Sequence, residues 1–403
     1  MKDNDEVKEE IKDEVKDEFE EEYELEEKEP TSSDYARFKM FRFMKLVIIV
    51  VIILLVILFV ASLFSTKKEY TYSDVESAMK KAAISYFKDH PDSLPLEEGS
   101  IVEIDASNLI AEERMKDFSE YVTDGNTCKG SVQVEKINAD YLYTPYLTCG
   151  DNYITVELSK KIVSDNPVVT SGYGLYSTNG GYAFRGETAN NYVKMGEYLW
   201  RIVKITSNNN VVLISDEGMI YTQPWDNRYN QEYSYESGIN QYSASRIREY
   251  LNKVYTNSSD KNDENILTES TKARIVSYDA CVGKRNLNSE SKDNSEECSE
   301  VLRNQKLGLL TLSDYLYASI DPNCKSATTK NCKNYNYLVA KEDWWLITAN
   351  KDDTSTVFNV ARNGNVVAEL ASNYAAVRPV IYLNSNVLYK SGNGTLDKPY
   401  TLR

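Results

Sequence analysis

One histidine, His90 in "FKDHPD", is all the imidazole this 403-residue chain has. That scarcity excludes Ser-His-Asp and Cys-His catalysis, HExxH zinc sites and most transition-metal sites, each of which needs an imidazole as base or ligand. His90 itself reads as a loop residue before Pro91. No C-x-x-C spacing occurs among the six cysteines, which removes the common zinc and thiol-redox patterns. "GYGLYSTNGGYAF" is not followed by GK[ST] and is no phosphate loop. The acidic stretches "SSDKNDEN" and "SKDNSEE" lack the glycine and terminal glutamate of a calcium loop and read as solvated loops. Carboxylate, Lys, Tyr or lone-Cys chemistry is what survives; no cofactor or metal is implied.

A basic surface is missing too. The formal charge of −16 is uneven: residues 1–30 carry −11, residues 31–69 carry +4, and the rest carries −9. A mildly acidic main body argues against nucleic acid as a partner, because phosphate binding needs a basic surface.

Long apolar runs are not missing. "LVIIVVIILLVILFVASLF", Leu46 to Phe64, is nineteen uncharged residues. At about 1.5 Å rise per residue it reaches about 28 Å, close to the roughly 30 Å hydrocarbon core of a bilayer. A cleaved signal has a short basic leader and small residues before the cut. Here forty-five residues precede the run, so it is expected to stay as a single anchor in the lipid bilayer. Arg37, Lys39, Arg42 and Lys45 precede it, and Lys67 and Lys68 follow. The positive-inside rule then predicts a cytoplasmic amino end and an extracellular bulk. All six cysteines lie beyond the run, and an even count there suits disulfides in an oxidising compartment. Six cysteines allow fifteen connectivities; the sequence-local pairing predicts Cys128–Cys149, Cys281–Cys298 and Cys324–Cys332.

The predicted organisation is α+β. Residues 1–36 form an acidic cytoplasmic tail, mostly disordered, although Val7, Ile11, Val15, Phe19 and Tyr23 permit a thin apolar helical stripe for a cytoplasmic or envelope partner. Residues 37–69 hold the basic flank and the transmembrane helix (46–64). Residues 70–164 form a small module: a helix from Ser73 boxed by Glu76, then "GSIVEID", a short helix, and the strands "GSVQVEKI" and "DYLYTPYLTC". Residues 165–183 read as a linker and 184–403 as a larger domain. In that domain Asn208–Asn210 mark a hairpin, "SASRIREYLNKVY" a helix capped at Ser243 or Ser245, and "KLGLLTLSDYLYAS" a strand leading to a helix capped at Ser313. The stretch 255–303 reads as polar surface excursions. Three strands follow: "DWWL", "STVFNVARNGNVV" with a turn at Asn363-Gly364, and "YAAVRPVIYL".

Trp344 and Trp345 raise a question, since neighbouring strand residues point to opposite faces. Either both faces are covered, making both rings structural, or one ring faces a ligand. Arg378 is expected to pair with a carboxylate, and Pro379 to mark an edge or bulge.

The motifs "FRGETANNYV", "LWRIVKI", "SASRIREYLN", "LGLLTLSDY", "DWWL", "VRPVIYL" and "GNGTLDKPY" together resemble a bacterial surface-protein family of unknown function. Its carboxy-terminal domain, here residues 184–403, is similar to the C-type-lectin-like fold, a relative of the sulfatase-modifying-factor fold. Residues 70–155 resemble a pilin-like ectodomain, without the leader and processing site of true pilins. The lectin-like resemblance implies a ligand surface on the last strands and loops, with Trp225, Arg362, Asn363, Asn373 and Tyr374 as candidates and Trp344, Trp345 and Arg378 structural.

The sequence therefore predicts a non-catalytic, single-pass surface protein recognising an external glycan or protein ligand. The alternatives are a structural part of a pilus-like or secretion envelope assembly, and a carboxylate-based glycoside hydrolase.

Overall fold

The computed structural model describes residues 32–63, 70–137, 140–218, 222–228, 238–256 and 266–403, with the side chains of 32–38 and 57–63 left aside. Two compact units result, Met1–Glu69 and Tyr70–Arg403. In the first, Ser32–Leu63 is one helix, starting inside the stretch expected as tail. Its described side chains run from Lys39 through Arg42 and Lys45 into the exposed apolar segment Leu46–Val56. Among the described residues no helix is long and apolar enough to cross a membrane. Of the rest of the apolar run, the side chains from Ile57 and the whole of Phe64 lie outside the description, as do the predicted tail stripe and the "SSDKNDEN" loop.

The second unit begins with the helix Tyr72–Asp89. Its cap is Thr71, with Asp74 closing the box, rather than Ser73 and Glu76. Glu76 is instead buried. Val75, Met79, Ala82, Ala83 and Phe87 recur at helical spacing, and this face packs on an antiparallel sheet of Ile101–Asp105, Cys128–Ile137, Asp140–Cys149 and Tyr153–Ile154. Cys128 and Cys149 are opposed across the hairpin and bonded.

The helix Leu158–Asp165 already belongs to the larger core. The predicted linker is largely structured: Gly174–Thr178 and Gly181–Arg185 form a hairpin at the edge of the main sheet. Glycine there supplies the tight turn, Gly180 sitting at φ 92°. The turn composition of 165–183 masked a strand pair. That sheet continues through Tyr198–Ile205 and Val211–Ser215 to Val380–Leu383. Asn209 makes the predicted hairpin turn at φ 60°. Ser245 caps the helix Arg246–Thr256, its hydroxyl accepting from Arg248 N at 3.3 Å. Thr311, not Ser313, caps Leu312–Ala318.

Trp344–Ala349, Thr356–Val360 and Val366–Leu370 make a second antiparallel sheet. Both tryptophans are at 0% exposure. Trp344 meets Tyr315 edge-on at 6.0 Å and carries the Arg378 guanidinium over its ring at 4.7 Å. Trp345 turns the other way and donates its indole N–H to Gln223 O at 2.8 Å. Both faces of the strand are covered, and the side-by-side pair needs no ligand.

The stretch expected as surface excursion sends a charge pair into this core. Arg285 and Glu297, both at 0% exposure, meet at 3.2 Å. Glu297 also accepts from Ser313 N (3.0 Å), Ser313 Oγ (2.8 Å) and Thr348 Oγ1 (3.3 Å). Cys281–Cys298 and Cys324–Cys332 close as expected. Removing one partner of such a pair strands a buried charge. Glu297→Ala should therefore cost about 3–5 kcal/mol, and Arg285→Met with Glu297→Leu clearly less. Urea unfolding of the full chain, followed by fluorescence of the four tryptophans, measures both.

Candidate functional site

The five residues expected to contact ligand do not form one surface. Trp225 is fully buried and donates its indole N–H to Leu346 O at 3.0 Å, so it ties the helix-side loop to the Trp-Trp strand. Arg362 and Asn363 lie exposed in the turn before Val366–Leu370; Asn373 and Tyr374 lie just after it. A five-residue strand separates the two pairs by roughly 17 Å. Arg362 N donates to Asp343 Oδ1 at 2.7 Å, Asn363 Oδ1 accepts from Asn365 N, and Asn373 bonds Glu369. Tyr374 alone presents a bare ring, 66% exposed.

Arg378 differs from expectation as well. Its Nε and Nη1 donate to the carbonyls of Ser215 (2.9 Å) and Leu338 (2.8 Å) rather than to a carboxylate. Burial lowers its pKa to about 10, the charge of Asp216 acting in the opposite sense. It joins three segments and carries no free donor face for a ligand clamp to use.

A different surface combines the features expected of a recognition site. Tyr335 has φ 51°, a left-handed backbone that a bulky side chain rarely adopts, and its ring is 48% exposed. Such a conformation costs on the order of 1–3 kcal/mol and persists only where neighbours over-determine it. They do here. Asn334 Nδ2 donates to Asp321 Oδ2 (2.7 Å) and Asn334 O accepts from Ser319 Oγ (2.8 Å). On the other side Asn336 Nδ2 donates to Tyr315 O (3.0 Å) and Cys332 O (2.9 Å). The Cys324–Cys332 bridge closes the loop behind them.

Beside Tyr335 stands Tyr173, 41% exposed, with ring centroids 6.1 Å apart. Gly186 makes room: at φ 101°, a Cβ there would fall 2.5 Å from the Tyr173 ring. Arg185, paired with Gly174 across the hairpin, lies over the rings of Tyr176 (4.7 Å) and Tyr317 (4.6 Å). Its Nε and Nη2 donate to Tyr317 O (2.8 Å) and Ser319 O (2.7 Å), neutral acceptors that leave its charge in place. The result is a pair of exposed tyrosine rings, with a cation stacked between two further tyrosines on the neighbouring residue of the same hairpin. Sequence reasoning missed it because its parts come from residues 173–186 and 317–335, and a positive φ at a tyrosine leaves no mark in composition.

The buried polar groups elsewhere read as scaffold. Lys204 Nζ meets both Asp314 oxygens at 2.8 and 3.0 Å; burial works against its proton, but the Asp314 charge outweighs it and the pKa rises. Among the described residues no cluster of His, Cys, Asp and Glu is arranged to hold a metal ion.

Residues 208–385 match a family model described as a domain of unknown function, DUF6273. The comparisons with curated proteins and with solved structures return no match. The matched segment holds the Trp-Trp sheet, the Arg285–Glu297 pair, Tyr317 and Tyr335, while Tyr173 and Arg185 lie before it.

Trp225→Phe should lower stability by about 1–3 kcal/mol, because Leu346 O loses its buried donor, and should leave any ligand affinity unchanged. Paired unfolding and binding titrations separate the two effects.

Proposed function

We propose that this chain is a single-pass, membrane-anchored cell-surface protein whose larger domain recognises an external glycan without chemistry. The observation that carries the reading is the exposed Tyr173–Tyr335 pair, with Tyr335 held in a strained backbone by bonds on both sides. A fixed aromatic plane has an apolar face of the kind a sugar ring can cover, and it loses little side-chain entropy on binding. Arg185, next in the chain to the Gly186 over which the Tyr173 ring packs and bonded to neutral carbonyls, favours sugars bearing an acidic group over neutral ones.

The anchor part of the proposal rests on the Leu46–Phe64 run, its basic flank and the three disulfides beyond it. Support for a lectin-like domain comes from its disulfide-closed loops and from the closing segment returning to its start: Tyr192 N donates to Gly394 O at 2.9 Å, and Tyr400 N donates to Tyr192 O at 2.9 Å.

Two measurements test this. Protease added to intact cells should trim the chain to a fragment ending near residue 70, and a disulfide map of native protein should show no free thiol; an untrimmed chain or reduced sulfurs would overturn the topology. On glycan arrays the full chain should retain acidic glycans, with Tyr335→Ala and Tyr173→Ala each weakening binding at least fivefold, about 1 kcal/mol. Silence across broad arrays, or binding indifferent to both substitutions, would sink the glycan reading.

A further inference from the structure

The sheet of Trp344–Ala349, Thr356–Val360 and Val366–Leu370 stops at its last strand: among the described residues no strand pairs with the outer side of Val366–Leu370. The ladder fixes which of its groups face outward. Ala361 N donates to Asn365 O and Ala371 N donates to Ser355 O, so residues 365, 367, 369 and 371 turn their backbone groups inward. Val366, Ala368 and Leu370 therefore turn theirs out. Of these, Leu370 O accepts from Asn373 N at 3.0 Å and keeps a second lone pair.

An open edge invites a further strand, and proteins blunt it with charge, proline, a bulge or short length. Elsewhere this chain does so. Ile101–Asp105 carries Glu103 and Asp105, Tyr153–Ile154 is two residues long, and Gly174–Thr178 is met by Val168 at Leu175. Val366–Leu370, "VVAEL", has neither lysine nor proline, and its ladder to Thr356–Val360 runs without a bulge. Its one charge, Glu369, is held by Asn373. Val367 and Leu370 are exposed apolar side chains.

We propose that this edge pairs antiparallel with the same edge of a second copy of the chain, about a two-fold axis at Ala368. The three outward residues are centred on Ala368, whose small side chain suits the axis. In that register Ala368 faces Ala368 of the second copy and Val366 faces Leu370. About six backbone hydrogen bonds close, and each exposed Leu370 is covered by a valine. The two ends of the strand are complementary as well. The turn before it offers Arg362, exposed and with no ion pair among the described residues. The segment after it offers the bare ring of Tyr374. Antiparallel pairing sets each Arg362 beside the other copy's Tyr374, a cation against an aromatic face. A strand from an unrelated protein has no built-in match to either end. The pairing uses neither Tyr173 nor Tyr335 and does not depend on the glycan reading.

Sedimentation of the full chain in nonionic detergent, from about 1 to about 100 µM, tests this. A reversible dimer is expected. Ala368→Pro removes an outward N–H and no ladder bond, so it should weaken the dimer at least tenfold while tryptophan fluorescence keeps the parent's unfolding midpoint. Arg362→Ala and Tyr374→Ala should each weaken it at least threefold, and Tyr335→Ala should leave it intact. Ala368→Cys should cross-link the copies on mild oxidation, since facing residues of such a pair lie about 5.5 Å apart, within disulfide reach. A chain that stays monomeric throughout, as an edge reserved for another protein's strand would leave it, overturns the proposal. So does a dimer that Ala368→Pro leaves unchanged. Should Ala368→Pro lower the unfolding midpoint, the cysteine variant decides: a dimer that forms no cross-link there overturns the proposal too.

Discussion

A carboxylate and a guanidinium with no access to water organise the larger domain. Glu297 and Arg285 come from the polar stretch before the Cys281–Cys298 bridge closes, yet both reach the centre of the core. Leaving either charge alone there would cost several kcal/mol, so the surrounding segments are obliged to supply partners. Ser313 does so from the first turn of Leu312–Ala318, where a carboxylate is also favoured by the helix dipole. Thr348 does so from the Trp-Trp strand, its hydroxyl accepting from Leu312 N at 2.9 Å while donating to Glu297. Helix, strand and loop are thus fixed in one register by a single carboxylate. The pair specifies more than it stabilises, since an apolar replacement would fill the space without demanding those partners.

That register is transmitted outward. Tyr315, one turn along the same helix, packs edge-on against Trp344 and donates its hydroxyl to Gly364 O at 2.6 Å, holding the Asn363-Gly364 turn. Tyr317 and Ser319 then present their carbonyls to Arg185, and Ser319 with Asp321 grips Asn334 beside Tyr335. The strained tyrosine therefore stands at the end of a chain of bonds that starts at Glu297. Its strain is tolerable because every neighbour is anchored in turn; on a mobile loop the same φ would relax. The Cys324–Cys332 bridge fits this logic, shortening the loop whose freedom would compete with the strained state.

Much of this was legible in the sequence, and the failures have a common cause. Period and turn chemistry located the Tyr72–Asp89 helix, the Asn209 hairpin, the Gly364 turn and the three local disulfides, because each is decided within about twenty residues. The alternation rule posed the Trp344–Trp345 question correctly, but only tertiary structure could cover both faces. Misreadings arose where long-range partners override local texture. Residues 165–183 look like a linker by composition, yet from Gly174 they enter a strand pair because Tyr198–Ile205 offers an open edge. Arg285 and Glu297 look like solvated charges and are among the most deeply buried ones. Trp225, taken for a contact residue, is held inside by a carbonyl 121 positions away.

The same reasoning separates scaffold from candidate site. Most of the buried cations with a protein partner, Arg285, Lys204 and Arg403 among them, are matched to a carboxylate, and each has a role in joining segments. Arg378 is the instructive exception: it is fully buried over Trp344, its charge met by carbonyls and by the nearby Asp216. Arg185 resembles it in its acceptors but differs in its surroundings, since its ring sandwich opens beside two exposed tyrosines. Charge left uncompensated by a carboxylate marks a candidate site only where it also lies near open surface, and Arg185, whose hairpin partner Gly174 adjoins exposed Tyr173, is the residue the glycan reading puts to that test.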